Sequence, residues 1–280
     1  MVPAGASRRE DRPLRWPRVV LTFALRVFCC LRVSPVLAGA FNIPQGQGLA
    51  IVDFTFSGGS RYFNGLGRLA PADRFQRGDV SDYVEYGVTD WLMAIVRPDL
   101  TVVSLHGQPS GQYAGLGTSE AGAQLRLLAF GPAVLAAQGT FRLPGSTDRR
   151  DPALVGQTSH DADLRGLFGV SFALGDWPAF LDAQMAYRFR DGAAPDELHA
   201  DLTLGVRPRA DIMVLLQAFN TTGLAPGTPW FPRQEYTHVE LSGVYDLGPV
   251  WSVQLGVFTT VLGRQTLRER GVTSAVWHRF

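Results

Sequence analysis

Residues 41–280 predict an all-β fold: a transmembrane antiparallel up-and-down β-barrel of about twelve strands, with short periplasmic turns and longer extracellular loops. Three observations carry this expectation. Apolar residues alternate with polar or small ones in runs of about ten, the length of a tilted membrane strand. The connections between runs alternate between tight and long. Aromatic residues gather at the ends of the runs, where an amphipathic ring lies half wet at a lipid–water interface.

The first 40 residues differ from the rest. Arg8, Arg9, Arg12, Arg15 and Arg18 form a basic head, "VVLTFALRVFCCLRVSPVLAGA" is an apolar stretch, and Ala38-Gly39-Ala40 is a small-residue site at its end. This order predicts a secretory signal peptide, residues 1–40, cleaved after Ala40. Arg26 and Arg32 interrupt the apolar stretch, so it falls short of the roughly 20 residues a spanning helix needs. The whole chain carries +1. Its first 40 residues hold seven Arg against Glu10 and Asp11, a net of +5, so residues 41–280 carry −4. The basic start is therefore an export feature and gives no reason to expect nucleic acid as a partner. Cys29 and Cys30 leave with the segment, which excludes disulfides and cysteine-rich metal sites from the mature chain. All 26 basic residues are arginine.

Twelve strands follow in order, at roughly 48–57, 80–88, 91–105, 119–130, 133–143, 163–174, 178–189, 197–206, 211–221, 235–246, 250–262 and 272–280. "ELHADLTLGV" shows the alternation clearly: Glu197, His199, Asp201, Thr203 and Gly205 share one side, and Leu198, Ala200, Leu202, Leu204 and Val206 share the other. "LDAQMAYRF", "EAGAQLRLLAF" and "WSVQLGVFTT" repeat it. The tight connections are "TD", "GP", "GDW", "RPRA" and "LGP"; the long ones include "GGSRYFNGLGRLAPADRFQRGD", "PGSTDRRDPALVGQTSHDA" and "TGLAPGTPWFPRQ". Trp91, Trp177 and Trp251 stand beside tight turns, with Tyr245 and Phe130 flanking others, and Phe280 ends the chain. These residues are the candidate periplasmic aromatic girdle. In a closed barrel the last strand pairs with the first, which explains a terminus that is an apolar strand with Phe280 toward lipid. Ser274 and His278 depart from that outward apolar pattern.

A soluble sandwich would bury the larger apolar residues around one interior. Here they oppose Arg126, Gln184, Arg188, Asp201 and Gln254, so the oily side suits lipid and the ionic side a lumen.

The hairpins "YVEYGVTDWLMAIVRP" and "YDLGPVWSVQLGVF", with the start "AFNIPQGQG", resemble small Gram-negative outer-membrane β-barrel proteins of the transporter type, a group named for the phenol-degradation meta pathway. The terminal strand with its final Phe280 resembles the assembly signal of outer-membrane proteins. The resemblance implies the outer membrane of a Gram-negative bacterium as location, outer-membrane lipid and lipopolysaccharide as surroundings, the barrel-assembly machinery as a partner during biogenesis, and transport.

The lumen-lining candidates are Arg97, Arg126, Arg142, Arg165 and Arg188, with Asp182, Glu197, Asp201 and Glu240; Asp53, Glu85 and Glu120 share their parity. Opposite charges on facing walls would set up a transverse field that selects polar solutes. Paired with one another, the same charges would plug a narrow barrel. Chemistry has little support. Of His106, His160, His199, His238 and His278, only "TSHDAD" around His160 gathers Ser, His and Asp, and a solvated loop has the same composition. No catalytic residue, metal site or cofactor is expected. The reading is a monomeric barrel that forms a narrow passive channel for small solutes; the alternatives are a pore-less scaffold or surface-binding barrel, and a barrel lipid hydrolase.

Overall fold

A computed structural model describes residues 39–107, 110–148, 151–154, 157–192, 194–228 and 233–280. The leader-like segment up to residue 38, Arg149, Arg150, Trp230 and Phe231 lie outside the described residues.

The strands are β1 (Gly48–Phe63), β2 (Leu69–Gly87), β3 (Leu92–Arg97), β4 (Asp99–Leu105), β5 (Gly111–Leu116), β6 (Ser119–Phe130), β7 (Ala133–Leu143), β8 (Asp161–Leu174), β9 (Trp177–Arg190), β10 (Glu197–Arg209), β11 (Ile212–Gly223), β12 (Glu235–Asp246), β13 (Trp251–Arg264), β14 (Thr266–Leu267) and β15 (Arg270–Arg279). They build the twelve walls of a closed antiparallel barrel. β3 and β4 are two halves of one wall broken at Pro98, which has no N–H to give to the ladder; both halves pair with β2. β5 and β6 are likewise one wall broken at Gly117 and Thr118. β14 is a short piece that pairs with the tip of β1.

Closure is made by β1, which pairs with β2 on one side and β15 on the other. The end of the chain joins this seam. Gly48 N–H donates to the Phe280 carbonyl at 2.7 Å, and Phe280 N–H donates to the Gly48 carbonyl at 3.0 Å. The Phe280 ring lies where a side chain on residue 48 would go, so a larger residue there would displace the ring. Nearby, Trp251 and His278 stack at 4.3 Å, and His278 stacks on Phe280 at 5.7 Å. His278, a polar exception in the outward pattern, is thus part of the aromatic band.

The first hairpin differs from expectation. Residues 58–79, read as an outer loop, are mostly strand: β1 and β2 stay paired up to Phe63 and Leu69, through a bulge between Gly59 and Arg61. The turn is closed by Asn64, whose Oδ1 accepts from the N–H groups of Leu66 (2.9 Å) and Arg68 (3.0 Å). Arg77, assigned to that loop, therefore stands on a wall and pairs with Asp79 at 2.7 Å. Polar composition hid the extension, because above the membrane a strand no longer needs an apolar face.

The outer face carries a belt of exposed apolar residues. Leu216, Leu241 and Val257 are cross-strand neighbours on β11, β12 and β13 and are each about half exposed. Inside, the lumen is filled by apolar side chains toward the short-turn end and holds a cavity toward the long-loop end.

Candidate functional site: the charged lumen

The period of two along each strand aims one set of side chains inward, and at the long-loop end these are ionic. Arg142 on β7 pairs with Glu120 on β6 at 2.7 Å and with Asp161 on β8 at 3.6 Å. Arg165 on β8 reaches Asp201 on β10 at 2.6 Å and its own-strand neighbour Asp163 at 3.5 Å, and donates to Gln184 on β9 at 2.6 Å. Arg188 on β9 lies between Asp163 (3.3 Å) and Glu197 on β10 (3.2 Å). Arg190, one turn of the pleat higher, joins Asp161 (3.4 Å) and Glu197 (2.8 Å). His199 Nε2 lies 3.1 Å from Glu197, and its Nδ1 lies 3.2 Å from the Thr221 hydroxyl. The result is a continuous ion-pair ladder across five adjacent walls.

This corrects one expectation. Glu197 and Asp201 do not face the arginines across the lumen; they stand beside them, because the walls that carry them are neighbours in the sheet. Of the acids expected opposite, Glu240 on β12 does lie apart from the ladder, on the side that also carries Asp53 and Glu269. Asp53 accepts from Thr55 (2.7 Å) and Thr273 (2.6 Å), and Glu269 accepts from Ser57. Arg97 points inward and donates to Ser81 at 3.4 Å. Arg126 lies at the bulge near the short-turn end and makes no ion pair among the described residues. Arg190, Asp161 and Asp163 were missed as lumen residues. Arg190 and Asp161 lay just beyond strand ends drawn one and two residues too short, and Asp163 stood at the first residue of its strand, although each shares parity with an arginine already chosen.

Between these walls is a cavity of about 820 Å³, lined by Asp53, Arg77, Arg97, Arg142, Arg188 and Glu269 among others. Ala153, Gln157 and Ser159, from the connection between β7 and β8, are among its lining residues. A short 3-10 turn, Pro152–Leu154, buries Ala153 and Leu154, and Asp151 Oδ1 accepts from Ala153 N–H at 2.9 Å. Ser159, from the only Ser-His-Asp cluster in the sequence, donates to Asp161 at 2.8 Å and accepts from Arg190 at 3.1 Å, while His160 is exposed. Ser159 and Asp161 thus belong to the ion network, with His160 turned away from them.

The short-turn end is unlike what a strict alternation predicts. Met93, Ile95, Phe180, Met213, Val244 and Trp277 point into the lumen and form an apolar cluster around Ile43, which is fully buried. Ile43 belongs to the segment that precedes β1. That segment enters the barrel: Gln124 donates to the Gly39 carbonyl (3.0 Å) and to Asn42 Oδ1 (3.1 Å), and Ala40 packs on Ala136 and Leu167. Asp182 accepts from Ala40 N–H at 2.7 Å and from Gln184 at 2.6 Å. Of the lumen candidates, Asp182 thus holds the segment, whereas Arg142, Arg165, Arg188, Glu197 and Asp201 form the ladder. Trp91, Trp177, Trp251, Tyr245 and Phe280 are all exposed at the short-turn rim.

No known protein-family profile matches the sequence, and no curated protein matches it. Solved structures do match the fold. An outer membrane channel from Pseudomonas putida F1 aligns over 86% of this chain and 98% of its own, with a TM-score of 0.69 and 17% identity. The translocator domain of the autotransporter NalP from Neisseria meningitidis aligns over 94% and 97%, with a TM-score of 0.55 and 12% identity. The fold is that of an outer-membrane β-barrel. In such a barrel the exposed apolar belt meets hydrocarbon, and the ladder and cavity are the interior that hydrocarbon never reaches.

Proposed function

We propose that the chain is an outer-membrane channel for small solutes in a Gram-negative bacterium. The charged vestibule is its mouth, and the segment 39–47 is its constriction. The observation that supports this reading best is the cavity itself: about 820 Å³ of unfilled, charge-lined space inside a closed barrel. A pore-less scaffold has no use for a polar void, since a narrow barrel is readily filled by side chains. The Pseudomonas putida F1 protein of similar fold is described as an outer membrane channel, which agrees with this reading. Lipopolysaccharide around the rim, the barrel-assembly machinery during biogenesis and a monomeric state belong to the same proposal. No catalytic role is assigned.

The apolar cluster around Ile43 favours the second reading, a closed scaffold whose loops do the work. One experiment separates the two. The folded protein in a planar bilayer should show discrete conductance steps. Arg188→Glu should shift the reversal potential toward cations, because a ring of lumen charge selects against its own sign. Folded, heat-modifiable protein that passes no current at any voltage would leave the scaffold reading standing.

A further inference from the structure

The lumen holds a carboxylate whose partners are incomplete. Asp182 is only 2% exposed. It accepts from Gln184 and from the main chain at Ala40, but among the described residues no basic group forms an ion pair with it; Arg165, the nearest candidate in the ladder, is engaged by Asp201 and Asp163. A carboxylate withdrawn from water is costly without a cation. What touches it is Gly39. A side chain on residue 39 would run into the Asp182 carboxylate, and its φ of +66° is one that only glycine adopts freely. The α-carbon of Gly39 is therefore pressed against a buried acid that has no ion pair among the described residues.

We propose that the mature chain begins at Gly39, and that its α-ammonium group is the missing partner of Asp182. Processing is hydrolysis of the Ala38–Gly39 peptide bond. Water supplies the oxygen of the new Ala38 carboxylate, and the released Gly39 amine takes up a proton. The positive charge made by this step is placed beside the negative charge that waits for it. The cut lies two residues ahead of the Ala40 site that the small-residue pattern favours, with Ala38 and Val36 at its first and third positions upstream. A cut after Ala40 would discard Gly39 and Ala40, which the fold holds at three points. It would strip Asp182 of the Ala40 N–H, Gln124 of the Gly39 carbonyl, and Ala136 and Leu167 of the Ala40 methyl. Two buried polar side chains would lose partners. The ion pair thus fastens the segment inside the barrel only after export has been completed. The inference holds for a conducting and a silent barrel alike.

The test uses full-length chain expressed in a Gram-negative host, with the folded barrel extracted from its outer membrane. Intact mass and N-terminal sequencing should give Gly-Ala-Phe-Asn-Ile as the first residues. A chain starting at Phe41, or anywhere else, overturns the proposal. The sequence has no lysine, so the α-amine is the one primary amine of the processed protein, and a succinimidyl ester reports on it alone. Folded protein should acylate at least about tenfold more slowly than unfolded chain at the same pH, since reaction requires the segment to open. Asp182→Asn should raise the folded rate while the barrel stays heat-modifiable. Equal rates for folded and unfolded wild-type protein would also overturn it. The mass and the wild-type rates decide the matter even if the variant does not fold.

Discussion

Arg165 shows how much one lumen side chain carries. It reaches three walls, touching Asp163, Gln184 and Asp201, and both its acids are largely buried. Removing it leaves Asp201 without a cation among the described residues and Asp163 with Arg188 alone, and breaking a buried pair from one side costs about 3 kcal/mol. Arg165→Met should therefore lower the denaturant midpoint of the folded barrel in micelles by that amount. Arg165→Met with Asp201→Leu should recover part of the loss, because the orphaned charge is then absent. A single variant as stable as the wild type would mean that water in the cavity already solvates the ladder. Arg188 and Arg142 sit in the same ladder, yet each also faces the cavity, so their replacement reports on selectivity as much as on stability.

The element that decides the character of the lumen is the segment before β1. It is not a strand, and its main chain finds partners in Gln124, Asp182 and the end of β2, where Gly46 N–H donates to the Gly87 carbonyl at 2.8 Å. Its apolar anchor is Ile43. Truncating a buried isoleucine to alanine costs about 2–5 kcal/mol, and here the loss falls on the segment and not on the barrel, whose ladders are untouched. Ile43→Ala should leave heat-modifiable migration unchanged and raise single-channel conductance, with Ile43→Asp raising it further. Unchanged conductance in both would show that the constriction lies elsewhere, at the 3-10 turn beside the cavity.

The whole molecule rests on which side faces lipid. Leu241 is at the centre of β12, flanked by Leu216 and Val257 on the outer face. An arginine at the bilayer midplane on the lipid face of a barrel costs about 2–4 kcal/mol. Leu241→Arg should reduce the unfolding free energy of the barrel in vesicles by that amount, whereas the inward neighbour Glu240, which is only half-buried, replaced by the isosteric Gln, should have little effect. Equal sensitivity at the two positions would contradict an outward belt. Closure adds to this. The β1–β15 seam runs from Leu49 opposite Arg279 to Gly58 opposite Arg270, and the rim below it is tied by Arg207 and Arg279, which both reach Asp246. Among the described residues, no strand is left without a neighbour on both sides at the short-turn end.

The barrel was legible in the sequence because a membrane strand must satisfy two solvents, and alternation records that demand residue by residue. Strand number follows from it, as does the shared parity of Arg142, Arg165, Arg188 and Asp182, and Trp91, Trp177 and Trp251 stand exposed. Where the demand stops, legibility stops: above the membrane β1 and β2 continue through polar residues, and Arg190 was lost with the end of its strand. Which acid meets which arginine was also beyond reach, since it depends on the neighbouring walls and their register. The sequence by itself determined that there is an inside and an outside. Only the tertiary structure decided that the inside is part ionic ladder and part apolar seat for Ile43, because a lumen is filled by whatever segment the closed wall leaves room for, and alternation along a strand says nothing about what lies across it.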